Sequence, residues 1–104
     1  MDYKVVVSPE AEEDLDQCLH YLILEKKNKQ AAKNVLEDFE AVVDLLKIAA
    51  EGLPFCDNVK LRTLGYRRMN FLRHNYFILY RVMETTVYID AVFHGLQDYE
   101  RRMM

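Results

Sequence analysis

The chain has 104 residues and a formal net charge of −3, with 51% hydrophobic and 30% charged residues. This balance is typical of one globular domain, expected over residues 1–104, and with only 3 Gly and 2 Pro no long disordered stretch is expected. No apolar run reaches the roughly 18 residues of a membrane span and no signal peptide is visible, so we expect a cytoplasmic protein with no membrane partner.

The first half of the chain predicts a strand followed by two helices. The β-branched segment 3–7 predicts the strand. Ser8, followed by Pro9, predicts the start of the first helix, and Asn28, after a polar turn, predicts the cap of the second. Helices joined by so short a turn lie antiparallel, so a helical hairpin is expected. The acidic residues on its outer faces, Asp38 among them, are expected to keep those faces solvated.

The second half predicts a sheet. Residues 51–58 contain Gly and Pro and predict a loop, whereas residues 59–64 fit either a strand or an extended lead-in. Three strands follow at residues 66–72, 76–83 and 87–93, with turns near 73–75 and 84–86 and a short C-terminal tail. The order β-α-α-β-β-β predicts an α+β fold, in which the hairpin covers one face of a mostly antiparallel four-stranded sheet.

The strand at residues 76–83 is the strongest in the chain, and both of its faces are largely apolar. Successive side chains of a strand point to opposite faces, so one set of residues faces the helices and the other does not. The set that contains the strand's only charge is expected on the open face of the sheet. This set is Phe77, Leu79, Arg81 and Met83.

Basic residues are concentrated in the second half. Between positions 58 and 83 there are six basic residues and no acidic one, namely Lys60, Arg62, Arg67, Arg68, Arg73 and Arg81. This asymmetry indicates an anionic partner, either nucleic acid or an acidic peptide, unless the arginines pair with acids of the helices.

The cysteines and histidines are not grouped as metal ligands are. Cys18 and Cys56 are expected to be free thiols in a reducing compartment. His20, His74 and His94 are scattered along the chain, so neither a metal nor a cofactor is expected.

Four segments resemble the RelE/ParE superfamily of bacterial toxins: VVVSPEA at 5–11, GYRRMN at 65–70, YFILYRV at 76–82 and VYIDAVFHG at 87–95. They stand in the order of that family and span nearly the whole chain. The resemblance implies a curled sheet and the toxin half of a type II toxin–antitoxin module, a system of growth arrest and plasmid stabilisation. It also implies a protein partner, an antitoxin whose C-terminal segment wraps the toxin in a hetero-oligomer.

The superfamily divides by target. RelE-like members cut messenger RNA on the ribosome, whereas ParE-like members bind and inhibit DNA gyrase without chemistry, and the shared fold does not choose between them. The first expectation is a ribosome-dependent mRNA endonuclease, an mRNA interferase, with the ribosome and mRNA as partners. The alternatives are a gyrase inhibitor, whose hairpin or tail makes the contact, and an inactive relative that only binds its antitoxin.

Metal-independent RNA cleavage needs groups that stabilise charge on the phosphate and groups that transfer protons. The candidates for these roles are Arg68, Arg81, His94 and Tyr99. The first three are expected to converge on an open concave face, and the alternative for each candidate is a structural role. Candidates for binding RNA or the antitoxin are Lys60, Arg62, Arg67 and Arg73.

Three points qualify this candidate site. Arg67 and Arg68 are neighbours on one strand, so they point to opposite faces, and the sequence leaves open which one faces the groove. Phe77 stands where RNA-cleaving members often carry a basic residue. Residues 96–98, after the last strand, are Leu, Gln and Asp where the family often has arginines. Both departures count against a nuclease site.

Overall fold

The computed structural model describes residues 2–95 and 102–103 of the chain. Its strands are β1 (Lys4–Val7), β2 (Arg67–Asn70), β3 (Tyr76–Met83) and β4 (Thr86–His94). Its helices are α1 (Pro9–His20), α2 (Lys29–Ala49) and the short α3 (Val59–Thr63). A π-helical turn (Tyr21–Glu25) extends α1, and a 3₁₀ turn (Ala50–Gly52) follows α2. No described helix is both long enough and apolar enough to cross a membrane.

The helical hairpin forms where its start signals predict it. The Ser8 hydroxyl accepts a hydrogen bond from the Ala11 N–H at 3.0 Å, and Pro9 is the first residue of α1. The Asn28 side chain accepts a hydrogen bond from the Ala31 N–H at 2.9 Å and caps α2 in the same way. Each cap satisfies a backbone donor that the helix itself leaves without a partner.

The four strands form a mixed sheet in the order β1-β4-β3-β2. β1 pairs with β4 in parallel, and the other two pairings are antiparallel, so the expected fold class is confirmed. The register between β3 and β4 shifts once, between Leu79 and Tyr80. Leu79 pairs with Ala91 and Tyr80 pairs with Ile89, so Asp90 is the extra residue of a β-bulge.

The face of the sheet that packs against α1 and α2, here called the helix face, holds the main core. Side chains from β3 and β4 meet apolar residues of the two long helices there, and Phe71 completes the cluster beside Phe39 and Tyr76. The sheet residues of this core are Tyr76, Ile78, Tyr80, Val87, Ile89 and Val92. The helical hairpin therefore covers one face of the sheet, as predicted.

The opposite face, here called the distal face, is not open at its centre, which corrects the sequence expectation. Phe77 and Leu79 are 1% and 0% exposed. They form a second buried cluster with Cys56, Leu61, Ala91 and Phe93, against which Tyr66 and Met103 also pack. Burial of these apolar side chains is favourable, so the segment after α2 folds back over the sheet.

Residues 59–64 belong to neither a strand nor an extended lead-in, because most of them form α3. The alternation of Val59, Leu61 and Thr63 imitates a strand, but the Asn58 side chain caps the segment by accepting a hydrogen bond from the Leu61 N–H at 3.0 Å. Leu61 is fully buried and fixes the short helix on the distal face. Gly65 follows with a φ of 89°, a left-handed conformation that turns the chain into β2.

Candidate functional site

The two adjacent arginines of β2 point to opposite faces, as strand alternation predicts. Arg68 is paired with Leu79 on the distal face, where its Cζ lies 3.7 Å from the Phe77 ring centroid. Arg67 is paired with Tyr80 and lies against Phe55, with its Cζ 3.8 Å from that ring. Arg67 donates to the carbonyl oxygens of residues 51 and 53. Arg68 is therefore the member of the pair on the distal face, and Arg67 stabilises the loop after α2.

Arg62 and Lys60 both lie on α3 but differ in their contacts. The Nε of Arg62 donates to the Cys56 carbonyl at 3.1 Å, and its Nη2 donates to the Asp57 carbonyl at 2.9 Å. Arg62 thus stabilises the same loop from its other end. Lys60 is exposed to solvent.

Arg73 joins the β2–β3 loop to α2 and is not a free surface cation. Its Nε lies 2.9 Å from Asp38 Oδ1, its backbone N–H donates to Asp38 Oδ2 at 3.0 Å, and its Nη2 lies 3.2 Å from Glu37 Oε2. The hydrogen bonds to Asp38 and Glu37 raise the pKa of Arg73. Asp38 is buried, so the expectation that it only solvates the helix is wrong. Pairing with helix acids, the alternative to an anionic partner, holds for Arg73.

Arg81 lies at the end of the distal face in a group that we call the Arg81 cluster, formed by Tyr66, Arg81 and Asp90. The Nε of Arg81 donates to Asp90 Oδ2 at 2.7 Å, and the Tyr66 hydroxyl donates to the same oxygen at 2.9 Å. The Arg81 Cζ lies 5.5 Å from the Tyr66 ring centroid. The hydrogen bond to Asp90 raises the pKa of Arg81, and burial together with Asp90 raises the pKa of Tyr66.

Sequence reasoning missed Tyr66 and Asp90. In an unbroken strand Asp90 alternates with Ala91, so the two side chains point to opposite faces. The bulge adds one residue at Asp90, which lets both Asp90 and Ala91 lie on the distal face. A lone acid inside a strongly apolar strand is the one signal in the sequence that could have found this residue.

His94 lies on the helix face, at the other end of the sheet from the Arg81 cluster. It is paired with Tyr76, and the two rings meet edge to face with centroids 5.2 Å apart. Both side chains line a groove of about 380 Å³ between α1 and the sheet. The remaining lining residues are Asp14, Gln17, Cys18, Tyr21, Val92 and Arg102.

The groups of this groove are fixed by contacts within the chain. Asp14 is buried, accepts a hydrogen bond from the Val92 N–H at 3.1 Å and forms an ion pair with Arg102 at 2.9 Å. Burial raises the pKa of Cys18 to about 11 and also raises the pKa of Tyr76. At neutral pH the thiol and the hydroxyl therefore stay protonated, and neither can serve as a general base.

The predicted convergence of Arg68, Arg81 and His94 is wrong in its geometry. Arg68 and Arg81 lie on the distal face, whereas His94 lies on the helix face. The extra residue of the bulge reverses the alternation of β4, so residues after it point to the face opposite to the one that an unbroken strand would give. Tyr99, together with residues 96–98, lies outside the described residues. Within the described part of the chain, no three His, Cys, Asp or Glu side chains come close enough to hold a metal ion.

Comparisons with known proteins point to one family. A family model described as "ParE toxin of type II toxin-antitoxin system, parDE" matches residues 5–99. A solved structure of the chromosomal ParDE TA system from P. aeruginosa is 21% identical and has a TM-score of 0.69, covering 88% of this chain and 95% of that one. At this identity the likeness concerns the fold. No curated protein matches the chain.

Proposed function

The chain belongs to the ParE toxin family of type II toxin–antitoxin systems, and from this premise we propose that it arrests growth by binding DNA gyrase without chemistry of its own. The observation that carries the proposal is the separation of the candidate groups. Arg68 and Arg81 lie on the distal face and His94 lies on the helix face, so the sheet itself stands between these cations and the proton-transfer candidate that the structure describes.

Among the residues that the structure describes, the groups near Arg81 do not supply a general base. Asp90 is the carboxylate beside Arg81, but its Oδ2 already accepts hydrogen bonds from Arg81 and from the Tyr66 hydroxyl. The Tyr66 hydroxyl is protonated at neutral pH, as an ordinary tyrosine is, and burial together with Asp90 raises its pKa further. A cleavage site needs a base that faces the 2′-OH of the substrate, and this arrangement instead neutralises an arginine. Ribosome-dependent mRNA cleavage stays a prediction that this geometry counts against.

The outer face of α2 is the surface that we propose for the gyrase contact. Ala41, Leu45 and Ile48 are exposed at a spacing of one helix face, and Ile48 is 63% exposed. Apolar side chains grouped on one exposed helix face are typical of protein–protein contacts. The sequence expectation is that a binding toxin uses its helical hairpin or its tail, and our proposal takes the hairpin.

An antitoxin is the second partner in the proposal. Membership of a toxin–antitoxin family supports a protein that binds this toxin and blocks it, and we propose that the two act in the cytoplasm, where gyrase works. An inactive relative that keeps only antitoxin binding is the alternative, and it predicts no growth arrest at all.

The test is controlled expression of the chain alone in a bacterial host, with DNA and protein synthesis followed separately by pulse labelling. The same purified protein is added to a gyrase supercoiling assay. We expect DNA synthesis to stop first, transcripts to stay whole and supercoiling to be inhibited. If protein synthesis stops first and transcripts are cut, the prediction of a ribosome-dependent nuclease is right and the proposal is wrong.

Two variants distinguish gyrase inhibition from mRNA cleavage. Ile48→Glu places a charge in the proposed contact and should weaken gyrase inhibition at least about tenfold, because a buried unpaired charge is costly. Replacing both Arg68 and His94 by Gln removes two nuclease candidates and should leave supercoiling inhibition within about twofold. Loss of toxicity in the double variant, with Ile48→Glu still fully toxic, would contradict the proposal.

A further inference from the structure

We propose that Arg81 is an anchor for a carboxylate of the antitoxin, and that Asp90 and Tyr66 are positioning residues that hold its guanidinium in place. The inference relies on the proposed function only for the existence of an antitoxin. It assigns the distal face to antitoxin recognition, whereas the proposed gyrase contact lies on α2.

The first step is the geometry of the guanidinium. Its Nε is fixed by Asp90 at 2.7 Å, and the Tyr66 ring lies beside it. Among the described residues, the two terminal nitrogens of Arg81 have no hydrogen-bond partner, while the side chain is 36% exposed. Arg81 thus presents two parallel N–H donors outward from a fixed base. This fork matches the two oxygens of a carboxylate.

The second step is the contrast with the other arginines of the basic segment. Arg62, Arg67 and Arg73 direct terminal nitrogens to oxygens of this chain. Arg68 lies on the Phe77 ring and donates its Nε to Asn70. The segment that has six basic residues in sequence therefore does not form a row of unpaired cations.

This distribution favours a protein carboxylate over a nucleic acid as the ligand. Binding to a phosphate backbone draws its affinity from several cations that each release counterions. Here Asp90 neutralises Arg81, and the exposed Lys60 lies on a different element, α3. One fork with a fixed orientation suits one carboxylate, and the direction of its N–H groups supplies the specificity.

The surroundings of Arg81 are those of a protein interface. Tyr88 on β4 is its register partner, Tyr66 lies on its other side, and Met83 follows two residues later on the same face with 57% exposure. Arginine, tyrosine and methionine are enriched in protein–protein interfaces, and the arginines and tyrosines often carry most of the binding energy. An antitoxin segment could cover these side chains while its acid meets Arg81.

The experiment measures the affinity of the full-length toxin for the antitoxin of its own module by isothermal titration calorimetry. The toxin variants are Arg81→Gln, Arg81→Lys and Asp90→Asn, with Lys33→Gln as the control, since Lys33 is an exposed cation on α2. We expect Arg81→Gln to weaken binding about 10- to 100-fold. Arg81→Lys should lose most of the same affinity, since an ammonium cannot form the fork. Asp90→Asn should lose less, and Lys33→Gln should change nothing.

A charge exchange then identifies the partner's acid. Arg81→Glu should abolish binding, and one Asp→Arg or Glu→Arg substitution in the antitoxin should restore it at least about tenfold. Circular dichroism spectra and melting temperatures confirm that each variant is folded. If replacement of one particular acid of the antitoxin restores binding, the proposal is supported, because a general loss of stability in the toxin could not be reversed in this way.

Two results overturn the inference. One is an affinity within twofold of wild type for folded Arg81→Gln and Arg81→Lys. The other is loss of binding to a 12-nucleotide single-stranded RNA in Arg81→Gln, with antitoxin affinity unchanged. Neither result depends on gyrase, so failure of the supercoiling assay leaves this test intact, and failure here leaves the gyrase proposal intact.

Discussion

Tyr80→Phe should destabilise the fold through a single hydrogen bond. The Tyr80 side chain is fully buried, and its hydroxyl donates to the Ala50 carbonyl at 2.7 Å. Ala50 follows α2 and is itself buried, so water cannot replace the lost donor. Phenylalanine keeps the ring packing and leaves one buried carbonyl unsatisfied, which costs about 1.5 kcal/mol. For a domain of about this size the melting temperature should fall by about 6–12 °C.

The pH dependence of this effect gives a second, independent readout. Burial raises the pKa of Tyr80 above its ordinary value. Above about pH 10 the hydroxyl therefore ionises in the unfolded chain but stays protonated in the folded protein. Wild type therefore loses stability as pH rises above about 10, by up to about 1.4 kcal/mol per pH unit from this group. The Phe variant lacks this loss, so the difference in unfolding free energy between the two proteins should shrink above pH 10.

Urea denaturation at pH 7 and at pH 10.5 measures both effects, with Tyr76→Phe as the control. The Tyr76 hydroxyl neighbours the Cys18 thiol, a weak hydrogen-bond partner, so its removal should cost less than half as much. If Tyr80→Phe and wild type unfold with the same free energy at pH 7, the hydroxyl does not stabilise the end of α2 and the reasoning is wrong.

One chemical modification and two substitutions probe the groove between α1 and the sheet. Burial raises the pKa of Cys18 to about 11, so little of the reactive thiolate is present at pH 8. Iodoacetamide should therefore alkylate Cys18 about 100-fold more slowly in the folded protein than in urea, as measured by mass spectrometry. Equal rates in the two states would contradict this prediction. Asp14→Ala should cost about 2 kcal/mol in urea denaturation, since the Val92 N–H loses its acceptor. Arg102→Ala should cost only about 0.5 kcal/mol, since that side chain is 44% exposed, and equal effects would argue against the role of Asp14.

The elements with local signals were predictable from the sequence. The caps at Ser8 and Asn28, the two long helices, and the strand over residues 76–83 depend on hydrogen bonds and periodicities within one segment. The segment 59–64 was not, because six residues can satisfy the pattern of a strand and of a helix equally well. Burial of Leu61 against the sheet decides between them, and that contact is made with residues distant in the chain.

The candidate site was predicted in part. The sequence placed Arg67 and Arg68 on opposite faces and Arg81 on the face away from the helices, and the structure agrees. It could not place Asp90 beside Arg81, because a bulge depends on how two strands pair and cannot be recognised from the residue pattern of a single strand. The same bulge fixes the face on which His94 lies, so the nuclease arrangement depended on a feature invisible in the sequence.

The fate of the basic segment shows why a count of charges does not describe a surface. Arginines that close loops donate to backbone carbonyl oxygens, as Arg62 and Arg67 do, and a carbonyl acceptor can belong to a residue of any type, so the sequence does not mark it. An arginine that joins two elements, such as Arg73, meets acids more than 30 positions away. Only the directions of individual N–H groups separate these structural cations from one that can bind a partner. By that criterion Arg81 differs from Arg62, Arg67 and Arg73, because its internal acid occupies the Nε and, within the described part of the chain, leaves the terminal nitrogens directed outward.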